Sequence, residues 1–205
     1  MPPANGVMVL TQSDLPSLVA TAHAAENRLP RNTSDPSDGV RLWPVSPGDT
    51  RRAACARRHA ALFGASLVEA SPDCSRETDL LLAAGRSAHE AGIGRLIWPA
   101  HAGVALNPES VDLDRASEII ARALLIERLL ELDIGGGLTI ETPFADLSDR
   151  QIADLSLDLG FVPGDVWWAA RSTDEQVREA ERWTSAFDAA GVRIGAPAGP
   201  ADTAG

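Results

Sequence analysis

The chain has 205 residues, of which 44% are hydrophobic and 23% charged, with a formal net charge of −11; this composition suits one globular domain. All 18 basic residues are Arg and Tyr is absent, so a Walker-type P-loop, a kinase catalytic lysine and a Schiff-base amine are excluded, while bidentate phosphate recognition by Arg stays open. The acidic balance argues against sequence-independent nucleic-acid binding, which needs basic surface.

The first predicted element is a short buried strand, Gly6–Leu10. Thr11-Gln12-Ser13-Asp14 then offers N-caps for a helix with Leu15, Leu18, Val19 and Ala22 on one face. Residues 30–39 are rich in Asn, Asp, Ser and Pro and read as a loop. Val40–Val45 is a second strand, with Pro44 placing its end near the surface. Pro47-Gly48-Asp49-Thr50 turns into a helix that ends at Gly64. A third strand, Ser66–Glu69, precedes a helix over Glu77–Ala91 with Gly92 as its stop.

Arg95–Trp98 is the fourth strand. The strongest helix spans Asp112–Leu132, with Ile119, Ala123, Ile126 and Leu130 on one stripe and Asp112 and Asp114 at its positive end. Leu138–Glu141 is a fifth strand. Ser148-Asp149-Arg150-Gln151 is a capping box for a helix ending at Gly160. Ser172-Thr173-Asp174-Glu175 opens a last helix that stops at Gly191, and residues 195–205 are a tail predicted to be disordered.

Strands alternating with helices predict a single α/β domain over residues 1–194, a five-stranded parallel sheet covered on both faces with an extra C-terminal helix. Ligands of such sheets bind beyond the carboxyl ends of the strands. This places Thr11–Asp14, Ser46–Thr50 and Pro99–Gly103 around one cleft. Cys55 and Cys74 are too few for a disulfide framework and lack metal spacing. The first ten residues have no basic, apolar leader pattern and no stretch reaches 18 apolar residues, so a soluble cytoplasmic protein is expected, with no membrane partner.

One passage carries a resemblance. Ile140-Glu141-Thr142-Pro143-Phe144-Ala145-Asp146-Leu147-Ser148-Asp149-Arg150-Gln151-Ile152, followed by Leu157-Asp158-Leu159-Gly160 and Trp167-Trp168, resembles the strand–helix–Trp passage of the 7-cyano-7-deazaguanine synthases. These are queuosine-pathway enzymes of the ATP-pyrophosphatase (PP-loop) superfamily, with an adenine nucleotide alpha-hydrolase-like, Rossmann-like fold. The resemblance spans about Val7 to Val192 and is strongest over Ile140–Gly160.

The resemblance implies ATP and Mg²⁺ as cofactors and a nucleotide site after the first strand, where the family carries a Ser-Gly-Gly-x-Asp-Ser phosphate loop. Here Thr11, Ser13 and Asp14 take those places, both glycines are lost and Pro16 removes an amide. Gly48 with Arg51 or Arg52 matches the turn after strand two. His101 sits in the loop after strand four, as an acid/base group or an adenine contact. Each has a plain structural alternative: a helix cap, a solvated first helical turn, a loop histidine. The four zinc cysteines of the family fall on about Ala170 and on Asp174, Val177 and Ala180, so no zinc site is expected.

Three functions stay open. The first is a diverged synthase-like protein that binds a nucleotide or purine-like ligand with its nitrile-forming chemistry impaired or lost, a pseudoenzyme. The second is a non-catalytic interaction subunit, a homodimer or the partner of another enzyme, with Trp167, Trp168 and Trp183 as core or as interface. The third is an active ATP-dependent C–N ligase-type enzyme with Asp14, Asp49 and Asp146 around Mg²⁺.

Overall fold

The computed structural model describes residues 4–27, 39–46, 48–68, 74, 76–161 and 164–193. The loop predicted over 30–39 lies outside them apart from Gly39, and the tail predicted over 195–205 lies outside entirely.

Strands β1 (Ala4–Thr11), β2 (Val40–Pro44), β3 (Ser66–Leu67), β4 (Ile93–Ile97) and β7 (Thr139–Glu141) form one parallel sheet in the order β3-β2-β1-β4-β7. Its central strand reads apolar on consecutive residues because both of its faces are covered. Val7 and Val9 face helices α1 (Leu15–Glu26), α2 (Thr50–Phe63), α5 (Asp149–Asp158) and α6 (Asp174–Ala189). Met8 and Leu10 face α3 (Glu77–Glu90) and α4 (Leu113–Ile134). This is the expected α/β architecture, a five-stranded parallel sheet of Rossmann-like order with helices on both faces.

The predicted helix signals act as written. Asp14, Asp49, Asp112 and Ser148 are N-caps whose side chains accept amide hydrogens of the first turn. The capping box is complete, Ser148 accepting from the Gln151 amide and Gln151 from the Ser148 amide. The buried residues of α4 include Ile119, Ala123, Ile126 and Leu130, the predicted stripe. Gly64 closes α2 with φ +60°.

One feature was not predicted. An antiparallel pair, β5 (Gly103–Val104) with β6 (Asn107–Val111), inserts between β4 and α4. Polar residues and Pro108 give β6 no alternating apolar pattern. Of the two alternatives left open for Trp167, Trp168 and Trp183, the structure has them as core: all three are buried with Phe187 and Ala180 against α1 and α5. No helix among the described residues is long and apolar enough to cross a membrane.

Candidate functional site

The order β3-β2-β1-β4-β7 reverses direction between β1 and β4, and the crevice beyond their carboxyl ends is the place where such sheets bind ligands. The first loop of that crevice is built tightly. After Thr11 the chain turns through Ser13 at φ +61° and enters α1 behind its N-cap Asp14. Thr11 Oγ1 accepts the Ser13 amide at 3.0 Å, and Ser17 Oγ accepts the Gln12 amide at 3.0 Å. Asp14 Oδ1 accepts the Ser17 amide at 3.0 Å and the Ser17 hydroxyl.

The loop is also covered. Ser13 Oγ donates to the Arg52 carbonyl at 2.8 Å, and the Ser13 carbonyl accepts the Trp167 amide at 3.0 Å. The Arg52 guanidinium lies 3.7 Å over the Trp167 ring and bonds Glu175 at 2.9 Å. Thr11, Ser13 and Ser17 are each no more than 1% exposed. The amides of Gln12, Ser13 and Ser17 thus all bond the loop's own side chains, and Pro16 has none.

Ser13 takes a left-handed conformation, φ +61°, which costs a non-glycine residue about 1–2 kcal/mol. Thr11, Arg52 and Trp167 hold Ser13 from three sides and impose it. The amides of this loop are turned inward onto its own side chains.

The second loop is open. Asp49 accepts the Arg51 and Arg52 amides at 2.9 and 3.2 Å, and Gly48 and Arg51 are exposed. A Cβ on Gly48 would meet nothing within 4 Å, so no close approach requires glycine there. Of the paired arginines it is Arg52 that reaches the first loop, donating to the Gln12 carbonyl at 3.3 Å.

His101, from the loop after β4, enters a cluster that sequence reasoning did not assemble. Asp149, the first residue of α5, is fully buried. Arg182 of α6 grips it with Nε at 2.6 Å and Nη2 at 2.8 Å. His101 Nε2 lies 3.0 Å from Asp149 Oδ1 and 2.9 Å from Arg182 Nη2. Arg182 also donates to the Gly103 carbonyl at 3.3 Å. A Cβ on Gly103 would stand 2.0 Å from Asp149 Oδ1, so this cluster needs glycine. The rings of His101 and Trp183 lie 5.8 Å apart.

Burial pushes the Asp149 carboxyl up, but the hydrogen bonds from His101 and Arg182 and the Arg182 charge outweigh it and hold the group below its ordinary value. Burial pulls Arg182 down, and its bonds and charge attraction to Asp149 reverse this. Glu179 and Asp14 add to the field at Arg182, which places Asp14 within electrostatic reach of the cluster. The product is an ionised, internally neutral pair that ties α5, α6 and the β4 loop together. Ser148–Gln151 reads in sequence only as a cap, and nothing distinguishes Arg182 among 18 arginines.

A second polar knot sits under α2. Cys55 and His59, one turn apart and fully buried, both reach the Asp165 carbonyl, at 2.9 and 2.6 Å. Burial pushes the Cys55 thiol up to about 11 and holds His59 below its ordinary value. This thiol is protonated at neutral pH and is not a nucleophile. An open cavity of about 380 Å³ lies beside it, lined by Arg58, His59, Ala61, Leu62 and Asp165. Among the described residues no three His, Cys, Asp or Glu side chains gather to hold a metal. Asp14 and Asp49 serve as caps and Asp146 is exposed.

No protein-family model and no curated protein matches the chain. Among solved structures it is similar to phosphoadenylyl-sulfate (PAPS) reductase from Candida auris in its phosphate complex, at 14% identity over 76% of this chain and 73% of that chain, with a TM-score of 0.40.

Proposed function

We propose that this chain is a non-catalytic interaction protein built on a Rossmann-like fold, with the ATP-dependent, nitrile-forming chemistry of the family it resembles lost. One observation carries the reading: the amides of Gln12, Ser13 and Ser17 bond Thr11, Ser17 and Asp14, and Arg52 and Trp167 close over them. A phosphate at this loop would have to break those bonds and expose groups now buried, each broken bond costing about 1–3 kcal/mol.

A second reading has its own observation. His101 and Arg182 meet at 2.9 Å beyond the end of β4, near the switch point where ligands of a Rossmann-like sheet sit, and the Asp14 charge acts on Arg182. In that reading Thr11, Ser13, Gly48 and Arg51 belong to the same site and ATP with Mg²⁺ is the ligand.

Thermal melts separate the two. A ligand at 100 times its Kd stabilises by about 2.7 kcal/mol, which raises Tm by roughly 5–10 °C in a chain of this size. The expected outcome is no shift with millimolar ATP–Mg²⁺, AMP or a 7-deazaguanine. A shift with any of them overturns the first reading in favour of the second. Pyrophosphate release that Asp14→Ala abolishes would establish an active enzyme.

A further inference from the structure

The open cavity of about 380 Å³ beside α2 has no part in either reading above. Its described lining residues, Arg58, His59, Ala61, Leu62 and Asp165, come from the second half of α2 and from the segment between α5 and α6. None of them belongs to the three loops of the switch-point crevice. Arg58 and Leu62, four residues apart, are neighbours on the outer side of the helix.

The wall brings together a cation, an anion, apolar surface and an unused acceptor. Arg58 and Asp165 are both exposed, and neither forms an ion pair among the described residues. They nevertheless act on one group from close by, the Asp165 charge favouring protonation of His59 and the Arg58 charge opposing it. Ala61 and Leu62 supply the apolar part, Leu62 being 53% exposed. His59 Nε2 lies 2.6 Å from the Asp165 carbonyl, which can only accept, so the ring proton is on Nε2 and Nδ1 keeps its lone pair. That lone pair is buried without a partner among the described residues, whereas buried polar atoms are normally paired.

We infer that this cavity binds a small zwitterion, an α-amino acid with an apolar side chain. Its carboxylate lies on the Arg58 guanidinium, its ammonium on the Asp165 carboxylate and its side chain on Ala61 and Leu62. The inference goes beyond the interaction-protein reading and stands without it.

Charge selects the class. A monoanion satisfies Arg58 but meets the Asp165 carboxylate, and a monocation does the reverse. A ligand carrying both charges finds two partners, and its zero net charge leaves it indifferent to a chain of −11. The guanidinium holds a carboxylate through two parallel N–H bonds. The ammonium also sets positive charge against a wall whose buried Nδ1 lone pair has no donor.

Size selects within the class. The volume equals roughly a dozen waters at about 30 Å³ each and lies at the small end of the roughly 300–1,000 Å³ of ligand pockets. One amino acid suits it and a nucleotide does not. Covering Ala61 and Leu62 removes apolar surface from water, which favours an apolar side chain over glycine.

Titration of the ¹⁵N-labelled full chain with L-leucine to about 20 mM, enough to saturate a millimolar site, tests this through amide chemical shifts. Glycine, 3-methylbutylamine and 4-methylpentanoate serve as leucine without its side chain, its carboxylate and its ammonium. The expected result is saturable shifts at residues 58–62 and 165 with leucine, and weaker binding of all three analogues, by about tenfold for the two that lack a charge. Arg58→Gln and Asp165→Asn alter exposed side chains and keep the Asp165 carbonyl that Cys55 and His59 reach. Each is expected to weaken leucine binding by about tenfold in a chain whose spectrum stays folded. Absence of saturable shifts overturns the inference. So does any analogue that binds as tightly as leucine, or leucine binding that either substitution leaves unchanged. Shifts confined to Thr11–Asp14 and His101 would place the ligand in the crevice, overturning this inference and favouring the second reading above.

Discussion

Ser13 shows how one residue holds several roles in a loop without glycine. Its backbone sits at φ +61°, its amide is taken by Thr11, its hydroxyl by the Arg52 carbonyl and its carbonyl by the Trp167 amide. Ser13→Ala removes the hydroxyl, leaves a buried carbonyl short of a donor and keeps the backbone strain, a loss of about 1–3 kcal/mol. Ser13→Gly removes the same bond but relieves about 1 kcal/mol or more of left-handed strain. The expected order of urea midpoints, at unchanged slope, is wild type, then Ser13→Gly, then Ser13→Ala. Equal midpoints for the two variants would mean that the positive φ costs nothing here. Little of this is legible in Gln12-Ser13-Asp14, because of the three residues that impose the conformation only Thr11 is local, and Arg52 lies 39 positions away with Trp167 farther still.

Among the elements, the Asp149–Arg182 pair fastens α6 to α5. Removing one partner from a buried pair leaves an uncompensated charge and costs about 3–5 kcal/mol. Arg182→Met is expected to fall in that range, and Arg182→Met/Asp149→Leu to cost less than the sum of the two single losses. Chemical denaturation of the four proteins reads the coupling, and strict additivity would remove the pair as a clamp. The sign with pH follows from the lowered Asp149: its contribution is whole above the unfolded carboxylate value near 3.9 and fades as pH falls through the lower folded value.

Elements themselves were legible where local chemistry decides them. Asp49, Asp112 and Ser148 announce helix starts, and consecutive apolar residues in Gly6–Leu10 announce a strand buried on both sides. The β5–β6 pair was not, since Asn107-Pro108-Glu109-Ser110 has no buried face to write a pattern. The Asp149–Arg182 clamp joins residues 33 apart on two helices, and no local spacing reports it.

For the molecule as a whole, the Cys55–His59–Asp165 knot sets limits on both sides of neutrality. Burial keeps His59 neutral in the folded chain, outweighing its bond to the Asp165 carbonyl and the charges of Asp14 and Asp165, with Arg58 acting in the same direction as burial. The unfolded chain takes up that proton near pH 6.5, so stability falls as pH drops below about 6.5 towards the folded value. Cys55 stays protonated up to about 11, whereas an unfolded thiol ionises near pH 8.5, so stability also falls as pH rises past about 9. Urea midpoints at pH 5, 7.5 and 9.5 are expected to peak at the middle value. His59→Gln should flatten the acid side and Cys55→Ala the alkaline side; unchanged slopes in both would take the knot out of the pH dependence.

The seal over the first loop also dictates when the chain can finish folding. Ser13 waits for Trp167, Arg52 for Glu175, Cys55 and His59 for Asp165, and His101 for Arg182. On a ribosome delivering residues at about 5–20 per second, these polar groups emerge well before their partners, which arrive only with residues 165–182. Closure of such distant contacts is slow and comes late. The N-terminal half is thus a part-built sheet throughout synthesis, and the last helix is its keystone.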